Sequence, residues 1–153
     1  MGNHFVMSFR FDKVTAFDFG FTATGNERAT NPKDGSVWIK KNLYDFGWGP
    51  ENGYYKYPLP DFPQLFNLVL AGTDQCDIYG AAAIISEQYP EELLCQCEIV
   101  ASDLKKRAEF KTLSEIFKLD SAVNRCPVQG KSFIEVQKDF ERWKKLSEIA
   151  KKL

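Results

Sequence analysis

With 153 residues, a net charge of −1, 44% apolar and 27% charged residues, the chain has the length of one domain and needs neither a metal nor a disulfide to build a core. No apolar run approaches the ~20 residues of a bilayer-spanning helix. The start of the chain carries neither the basic and apolar pattern of a secretory signal nor a myristoylation motif, Val6 standing where Ser or Thr is required. These features point to a cytoplasmic protein.

The first segment alternates. Phe5, Met7, Phe9 and Phe11 interleave with Val6, Ser8, Arg10 and Asp12, and Phe17, Phe19 and Phe21 repeat the period of two. That pattern predicts two strands with one apolar face, turned at Asp12-Lys13-Val14. Their aromatic face needs a cover, which the helices further on can provide. Residues 25–35, rich in Asn, Asp, Gly, Thr and Pro, read as a loop, and Ser36–Lys40 as a third short strand. Residues 43–60 then read as a long loop holding Tyr44, Phe46, Trp48, Tyr54, Tyr55 and Tyr57 among glycines and prolines. Such aromatics either pin a loop to a core or serve binding.

From Pro60 the period changes to that of helices. Asp61 and Gln64 form a capping-box pattern around Pro63, ahead of Leu65, Phe66, Leu68 and Val69, with Gly72 as the stop. A second helix, capped by Thr73 or Asp74, carries Ile78, Ala81, Ala82 and Ile85 at helical spacing. Gly80, costly inside a helix, predicts close approach of a neighbouring helix. Pro90 opens a third helix with Glu91 and Glu92 in its first turn, where the helix dipole favours acids. Leu93, Leu94, Cys97, Val100, Ala101 and Leu104 are read as its buried stripe, and Lys105-Lys106-Arg107 as its closing turn. With almost no loop between them, the second and third helices predict an antiparallel hairpin, similar to a HEAT-type pair in that limited sense. Phe110, Leu113, Ile116 and Phe117 mark a fourth helix. Ser132 and Glu135 form a capping box before a long terminal helix with a seam of Val136, Phe140, Trp143, Leu146, Ala150 and Leu153. The expected fold class is therefore α+β in a single domain, residues 1–57 forming a β-rich part of antiparallel strands and residues 58–153 a helical part with antiparallel helix hairpins.

The charge is unevenly spread. Residues 60–104 hold eight acids and no Lys or Arg, whereas residues 105–153 carry 13 Lys/Arg against 7 Asp/Glu. The two segments either attract each other or each attracts something else.

Chemistry-bearing groups are sparse. His4 is the single histidine. Cys76, Cys95, Cys97 and Cys126 include no CxxC pair, and Cys95 and Cys97 point about 200° apart on a helix. Neither a metal site, a cofactor site nor a catalytic constellation is expected, and the thiols read as buried and reduced. The basic side of the terminal helix is diluted by Asp139, Glu141 and Glu148, which argues against nucleic acid as a partner.

The leading expectation is a non-catalytic protein-binding module whose acidic face meets a basic protein. The candidates are Asp74, Asp77, Glu87, Glu91, Glu92 and Glu98, with Glu87 and Glu98 foremost because the helix dipole gives them no structural reason to be there. Trp48, Tyr54 and Tyr55 are added as an aromatic edge. In size and charge such a module resembles the bacterial immunity proteins that neutralise nuclease toxins. Alternatives are a small-ligand or carbohydrate binder using Trp48, Tyr54, Tyr55 and Tyr57, and a subunit of a larger assembly. The sequence does not specify an oligomeric state.

Overall fold

A computed structural model describes residues 2–8, 15–47 and 49–153. The proposed turn at residues 12–14 and the candidate Trp48 lie outside the described residues. The fold is α+β: a five-stranded antiparallel sheet followed by five α-helices. The chain forms two compact units, Met1–Ile84 and Ile85–Leu153. Their boundary falls inside a helix rather than at the change of period near Pro58.

In the first unit, β1 (Phe5–Met7), β2 (Thr22–Ala23), β3 (Arg28–Thr30), β4 (Val37–Asp45) and β5 (Pro50–Lys56) are ordered β1-β5-β4-β3-β2. β4 and β5 form its long hairpin, with Ile39 opposite Tyr55 and Lys40 opposite Tyr54. Their connection is tied by Asp45, whose carboxylate accepts from Gly47 N at 2.7 Å and Gly49 N at 3.1 Å. Most of the expected loop at residues 43–60 is therefore strand. Of the turn residues that suggested a loop, Gly47 and Gly49 lie in this connection and Pro58 after Lys56, while Pro50 and Gly53 are taken into β5 itself.

The Phe17–Phe21 strand is also corrected. Ala16–Phe19 is a 3-10 turn, closed by Asp18 accepting from Thr15 N at 2.7 Å and by Gly20 in the left-handed region at φ 76°. Phe17 consequently faces solvent, while Phe21 turns inward and stacks on Trp38 with ring centroids 4.8 Å apart. Period two in three phenylalanines was met by a helical turn because a local capping arrangement outcompeted the ladder. Val6, Ala16, Phe21, Ala29, Trp38 and Tyr54 make one small core, flanked by Phe19. Val6 is thus buried on the face opposite Phe5 and Met7, and β1 is apolar on both sides.

Two helices complete this unit: α1 (Phe62–Ala71) and most of α2 (Gln75–Gln88). The capping box of α1 forms as expected, Asp61 accepting from Gln64 N at 3.1 Å and Gln64 accepting from Asp61 N at 3.2 Å. The neighbour that requires Gly80 is a strand residue instead of a helix. A Cβ there would lie within 2.5 Å of Phe5 Cβ and Cδ1. The aromatic face of β1 is covered by α2 at this position, with backbone against ring.

The second unit holds the end of α2, then α3 (Pro90–Ser102), α4 (Arg107–Phe117) and α5 (Phe133–Ala150). Its core includes Leu93, Leu94, Cys97, Phe110, Leu113 and Trp143. The α5 seam is buried at Trp143, Leu146 and Ala150, while Val136 and Phe140 are half-buried and Leu153 is exposed. Ser132 caps α5 by accepting from Glu135 N at 3.2 Å. Arg125 holds the end of α4, donating to the carbonyls of Phe117 and Lys118 while its guanidinium lies 5.2 Å from the Trp143 ring centroid. A cation at a helix C-terminus and over an indole face is favoured on both counts. Among the described residues, no helix is long and apolar enough to cross a membrane.

Candidate functional site

The acidic stretch separates into groups with different surroundings. Asp74 caps α2, accepting from Cys76 N at 2.8 Å and Asp77 N at 3.4 Å. Asp77 is 4% exposed, and its carboxylate accepts from Asn3 N at 3.1 Å, His4 N at 2.8 Å and Phe5 N at 3.1 Å. The residue predicted to face a partner instead latches the first strand to α2. A carboxylate receiving three backbone N–H groups has little accepting capacity left.

In the second unit the acids meet side-chain cations. Glu91 pairs with Lys131, which also reaches Asp139 at 2.7 Å. Glu98 forms a forked contact with Arg142, whose Nε lies 3.2 Å from Oε1 and 3.1 Å from Oε2 and whose Nη2 also donates to Oε1. The mid-helix position of Glu98, which the dipole does not explain, has its explanation in Arg142. The hydrogen bonds from Lys131 to Asp139 and Glu91 hold its ammonium charged to higher pH than an ordinary lysine. Glu87 and Glu92 are exposed.

The aromatic candidates are dispersed. Tyr54 is 5% exposed and part of the sheet core. Burial, followed by the charge of Asp18, raises its phenol pKa. Tyr55 is half-buried, paired across the ladder to Phe5 and Ile39. Tyr44 and Phe46 pack on Tyr79 of α2 with centroids 4.7 Å apart. Of the loop aromatics described, Tyr57 is the one classed as exposed, at 58%.

The chemistry of the remaining groups is subdued. All four cysteines are free; Cys95 is exposed and the other three are buried. Burial pushes the Cys97 thiol up to about 12 and also raises Cys76 and Cys126, the opposite of what activates a nucleophile. Glu91, Cys126 and Asp139 bring their ligand atoms within 4.8 Å of one another. Lys131 already bridges the two carboxylates, so the positive charge that such a trio would seek is supplied by the protein itself.

One further surface was not anticipated. α3 ends at Ser102, and Asp103 caps a separate 3-10 turn, Leu104–Lys106, accepting from Lys105 N at 3.0 Å. Lys105 and Lys106 therefore lie just before α4, and Arg107 is its first residue; none closes α3. Leu104, read as part of a buried stripe, is 89% exposed. The signal that reveals this break is Ser102-Asp103, a helix-start pair sitting inside an otherwise helical period.

No protein-family model, curated protein or solved structure matches the chain.

Proposed function

We propose that this protein is a non-catalytic protein-binding module that meets a basic protein partner through the acidic junction of α2 and α3, in the manner of an inhibitor of a basic enzyme or toxin. The observation that carries the reading is the exposure of Glu87, Glu91 and Glu92 within six residues of chain around Tyr89-Pro90. Lys131 is engaged there with both Glu91 and Asp139, which leaves the junction acid-rich. A one-signed surface of this kind steers an oppositely charged protein and raises its association rate. Asp77 and Tyr54 are buried, and Glu98 is committed to Arg142. By exposure the contact set is therefore narrowed to Glu87, Glu91 and Glu92. The raised thiol pKa values are in keeping with a role outside catalysis.

The test is affinity capture from the source lysate with the wild-type chain and with the Glu87→Lys/Glu92→Lys variant, followed by salt elution. A basic protein retained by the wild type, released by moderate salt and lost with the variant supports the proposal. Equal capture by both chains defeats it.

A further inference from the structure

We propose that the second unit also carries a docking groove, at the end of α3 remote from the acidic junction, for an acidic amphipathic segment of a partner protein. The groove is lined by Val100, Ala101, Leu104, Phe110, Ile149 and Leu153. Leu104, Ile149 and Leu153 are 89%, 42% and 44% exposed. Single exposed apolar residues are ordinary, but three of them sharing one concavity form an unsatisfied apolar surface. The cavity volume is about 180 Å³. An apolar cavity of about 150 Å³ accommodates a benzene ring, so this one takes a single large apolar side chain.

The charge around it selects the occupant. Arg107 and Lys152 are part of its wall, and Lys105 and Lys106 adjoin Leu104 in the chain. Among the described residues none of these four cations enters an ion pair, in contrast to Lys131 and Arg142. Nor does folding call for three of them: Lys105, Lys106 and Arg107 sit at the start of α4, where the helix dipole disfavours positive charge. The one acid in the wall, Asp103, is occupied as the cap of the 3-10 turn. An apolar slot with uncompensated cations at its lip is complementary to a helix that presents a leucine or aromatic side chain between glutamates or aspartates. A concave slot also suits an inserted side chain better than the flat surface of an anionic bilayer. Glu91 and Leu104 are separated by the length of α3, roughly 20 Å at 1.5 Å per residue, so the two surfaces can be tested independently.

The experiment titrates the full chain with a labelled synthetic helical peptide carrying leucine at alternating third and fourth positions and glutamate elsewhere. The same peptide with lysine for glutamate is the control. Binding is followed by fluorescence anisotropy, and its location by the methyl resonances of Leu104, Ile149 and Leu153. The acidic peptide is expected to bind, to shift those methyls and to weaken steeply with salt. Lys105→Glu/Lys106→Glu and, separately, Leu104→Asp should each weaken it by roughly tenfold or more, with an unchanged circular dichroism spectrum. Glu87→Lys/Glu92→Lys should leave it unchanged, so failure here and failure of the proposed function are distinguishable. Equal binding of the lysine peptide, or acidic-peptide binding that neither groove variant weakens, overturns the inference. Retention on phosphatidylserine vesicles without peptide binding also overturns it, in favour of a membrane surface.

Discussion

Asp61, Asp74 and Asp77, before residue 85, and Glu91 and Glu98, after it, do different jobs. In the first unit Asp61, Asp74 and Asp77 accept hydrogen bonds from backbone N–H groups. In the second, Glu91 and Glu98 are matched by the side chains of Lys131 and Arg142. Backbone partners are fixed dipoles held by the fold. Side-chain partners are long, partly exposed cations that must be ordered to take part. The same kind of residue, in one uninterrupted acidic stretch, is therefore structural in a salt-insensitive way in one unit and in a salt-sensitive way in the other.

The largest effect expected from this contrast is at Asp77. Asp77→Ala leaves the buried N–H of Phe5 and two part-buried neighbours without their acceptor, and each unsatisfied buried donor costs about 1–3 kcal/mol. A loss of about 3 kcal/mol is expected in urea denaturation, little changed between low and high salt. A strongly salt-dependent loss would assign Asp77 to the same electrostatic class as Glu98.

Gly80→Ala tests the steric half of the same latch. Alanine gains about 1 kcal/mol in helix propensity, but its Cβ collides with Phe5, which is completely buried. Overpacking of this kind costs about 1–3 kcal/mol, so a net loss is expected, smaller in a Phe5→Ala background, which lacks the Cγ and Cδ1 that the new Cβ would meet. A stabilised Gly80→Ala protein would show that β1 yields at this point.

The smallest effect belongs to the Glu98–Arg142 pair. Both side chains are more than a third exposed, so solvent screening limits their coupling to about 0.2–1 kcal/mol. A double-mutant cycle with Glu98→Gln and Arg142→Gln should return a value in that range at low salt and less at high salt. A larger, salt-independent coupling would erase the distinction between the two groups of acids.

Local rules carried much of the secondary structure. The change of period near Pro60, the Asp61/Gln64 box, Pro90 at the head of α3 and Ser132 before α5 each mark a boundary, because a helix must satisfy its first N–H groups from nearby chain. The same rules misplace elements where two local signals compete. Asp18 folds Ala16–Phe19 into a 3-10 turn against the strand period of its phenylalanines. Asp103 ends α3 against a helical stripe running on to Leu104.

The sequence by itself determined the fold class, an antiparallel sheet followed by helices, and the helix starts whose caps lie within three residues. It also showed that charge is divided between two halves of the chain. Only the tertiary structure decided what each charge does. Asp77 is joined to residues 3–5 across more than seventy positions, Glu98 to Arg142 across forty-four, and Gly80 is reserved for the ring of Phe5. Capping and periodicity act over a few residues, whereas ion pairing and close packing depend on which distant segments the fold brings within reach. That is why an acidic stretch legible as a single surface resolves into caps, a latch, ion pairs and an exposed remainder.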